Sequence, residues 1–395
     1  MSSFDLIVSA LNELNIDALL VTDFRQRDPY AARILGVESL PLYSRRWFVL
    51  IHKTGTVVRI AHRIEPDAVA NVIPEHYQSS TFLYSSREEL EETVRLALHN
   101  TTSLAVCYSP KSDIPIISTI DAGTFDFLNT FGVKLVSAAD ILQNSFSKLS
   151  QNSFESHIEA GRKVDAIRQL AFEYIFRNAG KISEFHVVEF ILDQFDKAGL
   201  TADHPPCVAV NKNSALPHYE PSQKLSSMIR PDDFVLIDLW AKLKQEKAIY
   251  YDITWVGVVR EHPSSREEEI FQIVKTARNS VVDLISLRLD SKESVFGYEA
   301  DRAARDVITK AGYGAHFIHR TGHSISQSVH GEGANLDDFE TRDTRRLIPW
   351  SCFSVEPGIY LPEFGVRSEL NVFMLEDSAV VTGEVQQEIV CMGAE

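Results

Sequence analysis

Two aspartates stand where apolar strands would be expected to carry no charge. FVLIDLWA (234–241) encloses Asp238 and YYDITWVG (250–257) encloses Asp252, both among aromatic and β-branched residues. An ionised carboxylate withdrawn from water is costly unless a cation compensates it. Two of them in neighbouring strand-like runs suggest a shared partner. Further along, FSVEPGIYL puts Glu356 at a strand end. GVRSELNVFML puts Glu369 inside a strand, where a period of two sets it on one face with Arg367 and Asn371. Between the aspartates and the glutamates, HRTGHSISQSVHGEG supplies His319, His323 and His330 on irregular, Gly- and Ser-rich backbone. Four carboxylates and an imidazole are a hard-to-borderline ligand set. It suits two divalent ions bridged by carboxylates, with positions open to water and substrate. Such ions acidify water, polarise a carbonyl and offset the burial of Asp238 and Asp252. Manganese is the expected metal; cobalt, zinc and iron also fit carboxylate-rich sites. His157 and His186 lie on helical patterns, and His204 and His262 precede prolines; these four read as structural or loop residues.

The elements that must position this set fall in two halves. Residues 1–150 alternate helix-like and strand-like segments: FDLIVSALNEL as a helix, DALLVT as a strand, WFVLIH and TVVRIAH as a hairpin about KTG. REELEETVRLALHN (helix), SLAVCYS (strand) and AADILQNSF (helix) follow, so this half reads as an α/β layer domain. Residues 151–395 change texture. A long helical pattern is followed by a second helix with Ser183 as N-cap, then by strands PCVAVN, DDFVLIDLWAKL and AIYYDITWVGVV. The order then repeats: helices over SREEEIFQIVKTARNSVVDLIS and FGYEADRAARDVITKAG, then strands CFSVEPGIYL, GVRSELNVFML and SAVVTG. Two rounds of helix, helix and strands predict a pseudo-symmetric α+β domain around a central antiparallel sheet.

Composition excludes several classes. A net charge of −16 argues against nucleic acid, whose phosphates need a basic surface. The apolar runs are far too short to span a bilayer. The N-terminal stretch lacks a basic n-region and reads as an amphipathic helix, not a signal peptide. Four widely spaced cysteines without a CxxC pair fit free thiols in a reducing cytoplasm, the expected location.

Taken together, the order Asp, Asp, His, Glu, Glu, with DIT, HRTGH, a further VH, VEPGIY and GVRSE, resembles the pita-bread metallopeptidases. Within them the two halves resemble the creatinase, prolidase and aminopeptidase P branch, strongly over about residues 205–385. The resemblance implies that Asp238, Asp252, His323, Glu356 and Glu369 hold two metal ions, with Asp252 and Glu369 bridging. It implies that His330 stabilises the developing oxyanion and that Glu356 shuttles a proton to the leaving nitrogen. His218, in LPHYEPS, would line the substrate pocket with His319 and act as a catalytic residue in contact with the scissile region, and Arg367 would meet a substrate carboxylate or else orient a metal ligand. The implied activity is cleavage of Xaa-Pro bonds in short peptides, as a dipeptidase or aminopeptidase, by a homodimer. The alternatives are a creatinase-like C–N hydrolase of a small non-peptide substrate and a catalytically silent binding protein on the same fold.

Three departures accompany the resemblance. The Asp–Asp connection is lengthened by charged KLKQEK (242–247), expected to form a hairpin tip that reaches the site mouth or a second subunit. The Gly-Tyr before the second Asp and the Arg after its Thr are replaced by Ala248-Ile249 and Trp255. The glycines of the usual GHGIG are serines in GHSIS.

Overall fold

A computed structural model describes residues 2–391, and the chain divides into two compact units, Met1–Phe146 and Ser147–Glu395. In the first, strands β1 (Ala18–Asp23), β2 (Trp47–His52), β3 (Thr56–His62), β4 (Gln78–Tyr84), β5 (Ser103–Val106) and β6 (Lys134–Ser137) form one mixed sheet in the order β4-β3-β2-β1-β5-β6. Helices α1 (Ser3–Glu13), α2 (Pro29–Ile34), α3 (Arg87–Ala97), α4 (Ala122–Asn129) and α5 (Ala139–Phe146) accompany it. Strand alternation gives each face its own core. Leu19 and Val21 cluster with Phe4 and Ile7 of α1, whereas Leu20 and Leu50 cluster with Val94 of α3. The hairpin β2–β3 turns at Lys53–Gly55, as the KTG signal predicts. The sequence reading omits α2, α4, β4 and β6. β4 and β6 are the two outer strands, and β4 is largely exposed, so neither offers the apolar alternation by which the others are read.

The second unit is α+β. Helices α6 (Gln151–Asn178) and α7 (Glu184–Lys197) precede β7 (Leu200–Thr201), β8 (Cys207–Val210), β9 (Phe234–Leu243) and β10 (Tyr251–Val258). Helices α8 (Ser265–Asp290) and α9 (Gly297–Lys310) then precede β11 (Ser324–Ile325), β12 (Ser351–Val355), β13 (Gly358–Tyr360), β14 (Gly365–Arg367), β15 (Leu370–Met374), β16 (Ala379–Thr382) and β17 (Val390–Cys391). Ser150 and Ser264 close capping boxes on α6 and α8, and the Ser183 N–H at the head of α7 donates to Nδ1 of His186 (3.2 Å). β9 and β10 are an antiparallel hairpin with β8 against β9; β11-β12-β15-β16 form a second sheet and β13-β14 a two-stranded ribbon. Asn371 joins the two larger sheets: its side chain accepts from the Asp252 N–H (3.0 Å) and donates to the Asp252 carbonyl (2.6 Å).

Two expected strands are interrupted, and both breaks fall at glutamates. CFSVEPGIYL splits into β12 and β13 around Glu356-Pro357, where proline can donate nothing to a ladder. GVRSELNVFML splits into β14 and β15 around Ser368-Glu369, so Glu369 lies between strands and not within one. Its N–H turns to the Thr254 carbonyl (3.1 Å), while the buried Arg278 of α8 donates to Ser368 Oγ (2.7 Å) and holds the break.

Candidate metal centre

The β9–β10 register explains how two aspartates come to face one another. Asp238 lies directly opposite Thr254, and Asp252 is two residues from Thr254, so all three share one face of the hairpin. Trp255 takes the opposite face, where its ring lies 3.5 Å from the Arg168 guanidinium carbon. The replacement at Trp255 therefore points away from the aspartates, and Ile249 is buried in an apolar cluster with Phe373.

His323 arrives on irregular backbone at the start of β11. A Cβ on Gly322 would stand 2.0 Å from the Ser354 carbonyl oxygen, so only glycine lets this segment lie against β12. The next position shows how GHSIS is accommodated. Ser324 Oγ accepts from the Gly333 N–H (3.1 Å), and a Cβ at Gly331 or Gly333 would approach that oxygen to 2.7 or 2.6 Å. The bulk missing at those glycines makes room for the serine.

The five expected ligands converge. Ligand atoms of Asp252, His323 and Glu369 lie within 4.8 Å of one another, and these residues are 5%, 4% and 1% exposed. His323 Nε2 is 3.5 Å from Asp252 Oδ2 and 3.4 Å from Glu356 Oε1. Asp238 Oδ1 and Glu369 Oε2 share the Thr254 hydroxyl, at 3.0 and 2.8 Å.

Donor counting shows what this cluster lacks. His323 Nδ1 faces the Ser324 carbonyl (3.2 Å), which can only accept, so the proton of a neutral ring sits on Nδ1. Burial lowers the imidazole's affinity for a second proton, which leaves a lone pair on Nε2 aimed at two carboxylates. Thr254 has one hydroxyl hydrogen for two carboxylate oxygens, and Asp252 Oδ1 and Glu369 Oε1 are buried with no donor. Burial first, then mutual repulsion with Asp238 and Glu356, pushes the Asp252 carboxyl well above its ordinary range. Burial and the charges of Asp252 and Glu356 do the same to Glu369. Converging acceptors without donors are what a divalent cation satisfies, and the donor set of oxygens and one imidazole nitrogen fits one.

The surrounding cavity, about 420 Å³, is also lined by His218, His319, His330 and Arg367. His218 is exposed at its wall, and His330 stands edge-on to His323 with ring centroids 4.4 Å apart. His319 donates from Nδ1 to the Arg320 carbonyl (2.7 Å), so Nε2 accepts from Tyr360 Oη (2.7 Å). Tyr360 Oη in turn accepts from Arg367 Nη1 (3.1 Å). Arg367 is 4% exposed; its Nε donates to Thr254 (2.9 Å) and its Nη2 to Asp238 Oδ2. Thr254 and Tyr360 thus join the site without having been singled out in the sequence. The hairpin tip is drawn to its own surroundings: the Lys244 N–H meets the Gly199 carbonyl, its ammonium meets Asp196, and Lys242 Nζ meets the Gln327 carbonyl.

The sequence profile of Metallopeptidase family M24 matches residues 155–382. The chain belongs to this family. M24 membership implies divalent metal ions, in agreement with the buried Asp252–His323–Glu369 group. Over 225 residues the M24 chain is 31% identical to a Xaa-Pro dipeptidase of Lactobacillus delbrueckii subsp. lactis, covering 57% of this chain and 54% of that protein. The chain thus spans about half the length of the curated relatives it matches. Its fold is that of dipeptidase PepE from Mycobacterium ulcerans, with a TM-score of 0.66 and 22% identity over 99% of this chain and 97% of that one. A prolidase from Thermococcus sibiricus gives 0.57 and 23%, over 98% of each chain. The architecture is therefore the M24 one, an N-terminal α/β domain before a C-terminal pita-bread domain. Among the described residues no helix is long and apolar enough to cross a membrane.

Proposed function

We propose that this M24 chain is a dinuclear metal-dependent hydrolase of Xaa-Pro bonds in short peptides. The observation that carries this reading is the convergence of His323, Asp252 and Glu369, whose Nε2, Oδ1 and Oε1 are buried acceptors without donors. Relatives named Xaa-Pro dipeptidase at about 30% identity supply the substrate class. Asp238, Asp252, His323, Glu356 and Glu369 hold the ions, manganese first among the candidates. When bound, these ions supply a polarised carbonyl and water acidified toward neutral pH.

The chain's own groups do the remainder. Burial alone would raise the Glu356 carboxyl, but the neighbouring positive charges, Arg367 and Arg320 among them, outweigh it and hold it below its ordinary range. Glu356 is therefore ionised and takes, at Oε2, a proton of the water whose oxygen adds to the scissile carbonyl carbon, since Ser354 Oγ donates to Oε1 (3.1 Å). It returns that proton to the leaving nitrogen, which in a Xaa-Pro bond carries none of its own. His330 donates an N–H to the oxygen that gains charge. Arg367 fixes Asp238 through Nη2 and Thr254 through Nε, and so orients a ligand pair. His218 and His319 bound the space for the substrate, and the working unit is a homodimer, which sedimentation checks.

The test is metal analysis of protein purified without chelators, with hydrolysis of a Xaa-Pro dipeptide beside a Xaa-Pro tripeptide and an Xaa-Ala dipeptide. Two ions per chain and manganese-stimulated cleavage confined to the proline substrates are expected. Absence of stoichiometric metal would favour a silent protein on this fold.

A further inference from the structure

Arg278 of α8 is fully buried, yet among the described residues its guanidinium donates only to neutral oxygens. Nε and Nη2 donate to Asn279 Oδ1 (3.2 and 3.0 Å), and Nη1 donates to Ser368 Oγ (2.7 Å) and the Gln386 carbonyl (3.0 Å). Three other buried arginines of the same unit each meet a carboxylate: Arg168 meets Glu384, Arg345 meets Asp343 and Arg367 meets Asp238. Burial alone pushes the Arg278 guanidinium down to about 10, so it stays charged at neutral pH. A buried cation without a counter-charge is costly, and apolar side chains of similar volume often serve folding as well or better. What Arg278 contributes lies in what its nitrogens hold.

They hold the edge of β10 that faces away from β9. β17 pairs with this edge only at Gly257 and Val258, and three separate segments complete the rest. The Asn371 side chain brackets Asp252, and the Glu369 N–H reaches the Thr254 carbonyl (3.1 Å). The Gln386 side chain brackets Val256, accepting its N–H at Oε1 (3.1 Å) and donating to its carbonyl from Nε2 (2.6 Å). Arg278 Nη1 ties two of these segments together, through the hydroxyl beside Glu369 and the main chain of Gln386. Ser368 also donates its N–H to the Pro357 carbonyl (3.4 Å), next to Glu356. The two strand breaks that carry the glutamates thus meet at one serine, and one guanidinium nitrogen secures it.

We infer that Arg278 is a positioning residue for the metal centre: through Ser368 and Gln386 it fixes Glu369 against β10 beside Asp252, and thereby sets the affinity of the cluster for divalent ions. This rests on the metal-dependent reading above. Arg278 lies outside the cavity lining and acts only through the segment it holds.

The experiment is calorimetric titration of manganese into metal-stripped parent, Arg278→Met, Ser368→Ala and the double variant, under conditions where urea melts show each to be folded. Arg278→Met should bind manganese roughly 10–100-fold more weakly, the usual cost of removing a group that orients a ligand. Ser368→Ala should weaken binding in the same direction. The double variant should lose no more than Arg278→Met alone, because both changes break one hydrogen bond. An arginine that serves folding only would lower the urea midpoint and leave the affinity of the folded protein unchanged, and that result overturns the assignment, as do fully additive losses. If Arg278→Met does not fold, Ser368→Ala decides, and an affinity equal to the parent's counts against the proposal. Should the parent bind no manganese, the metal reading fails separately, and hydrogen exchange of the metal-free proteins decides whether Arg278 holds Glu369. The Glu369 N–H should then exchange at least tenfold faster in Ser368→Ala or Arg278→Met than in the parent, with the amides of β1–β3 unchanged. Equal rates at Glu369 count against Arg278.

Discussion

Glu184 and Glu369 are both buried glutamates in the same unit, at 0% and 1% exposure, yet their surroundings are opposite. Glu184 opens α7, and both of its oxygens are fully served. Oε1 accepts from the Val210 N–H (2.7 Å) and Asn213 Nδ2 (2.9 Å), and Oε2 from Tyr219 Oη (2.7 Å) and the Ser227 N–H (2.6 Å). A helix N-terminus adds favourable partial charge. Glu369 has one shared hydroxyl on Oε2 and no donor on Oε1, and its nearest charged neighbours include Asp252 and Glu356. Burial of a carboxylate is therefore not what marks a site. The marker is a shortage of donors, which folding tolerates only where something outside the chain makes up the difference.

That contrast is broken most severely by removing a ligand from the deficient cluster. Asp252→Ala should lose both stoichiometric metal and detectable hydrolysis, as read by elemental analysis and peptide assay. Full metal occupancy in this variant would remove Asp252 from the ligand set. Chelation should lower the melting temperature of the parent but hardly that of Asp252→Ala, because binding to the folded state is worth about 3–4 kcal/mol at 100 to 1,000 times Kd.

A smaller effect separates holding metal from using it. His330 stands edge-on to His323 without sharing its carboxylate contacts. His330→Ala should keep its metal and lose roughly 10²–10³-fold in kcat, the usual cost of one oxyanion donor. Unchanged kcat would assign the oxyanion to another group.

At Glu184 the expected loss is of folding alone. Glu184→Gln turns an amide's two hydrogens toward two of the four donors and should cost about 3 kcal/mol, in line with removing one member of a buried charged network. Urea melts read this cost, and metal stoichiometry should match the parent. Metal loss as severe as in Asp252→Ala would erase the distinction between the two glutamates.

The two carboxylates were unequally legible in the sequence, for a physical reason. Asp238 and Asp252 stand out because β9 and β10 are apolar on both faces, so a charge interrupts the pattern. Glu356 and Glu369 were legible through VEPGIY and GVRSE, although the continuous strands expected around them break at those residues. Glu184 looked like any acidic residue in the first turn of a helix, because its donors come from Val210, Asn213, Tyr219 and Ser227, far along the chain. Thr254 and Tyr360 were passed over similarly: hydroxyls become site residues only when register and loop closure bring carboxylates or an imidazole to them. Arg367 could be placed near Glu369 by spacing, but spacing does not reveal that its nitrogens are already engaged. In the N-terminal unit β4 and β6 escaped because edge strands need not alternate.

A milder form of the same comparison lies on α6, where two buried groups have their protonation displaced in opposite senses. Burial holds the His157 imidazole down at about 4, although Nδ1 donates to the Tyr250 carbonyl (2.7 Å). Burial lifts the Asp165 carboxyl to about 6, against the opposing Glu384 N–H and Arg168 charge. Unfolded, histidine titrates near ~6.5 and aspartate near ~3.9. Between roughly pH 4 and 6, then, the folded chain keeps this proton on Asp165 and the unfolded chain keeps it on His157. Proton uptake by the pair is equal in the two states, and its contribution to the pH slope of stability is near zero. Removing either partner exposes the other. His157→Asn leaves Asp165, for which the folded state binds more protons, so stability relative to the parent should fall as pH rises from ~4 to ~6. Asp165→Asn leaves His157, for which the unfolded state binds more, so relative stability should fall as pH drops from ~6.5 to ~4. Each slope integrates to about 3 kcal/mol across its window. Urea melts of parent and both variants through this range check it. Slopes of one sign in both variants would mean that one of the two groups is not held in the protonation state its burial dictates.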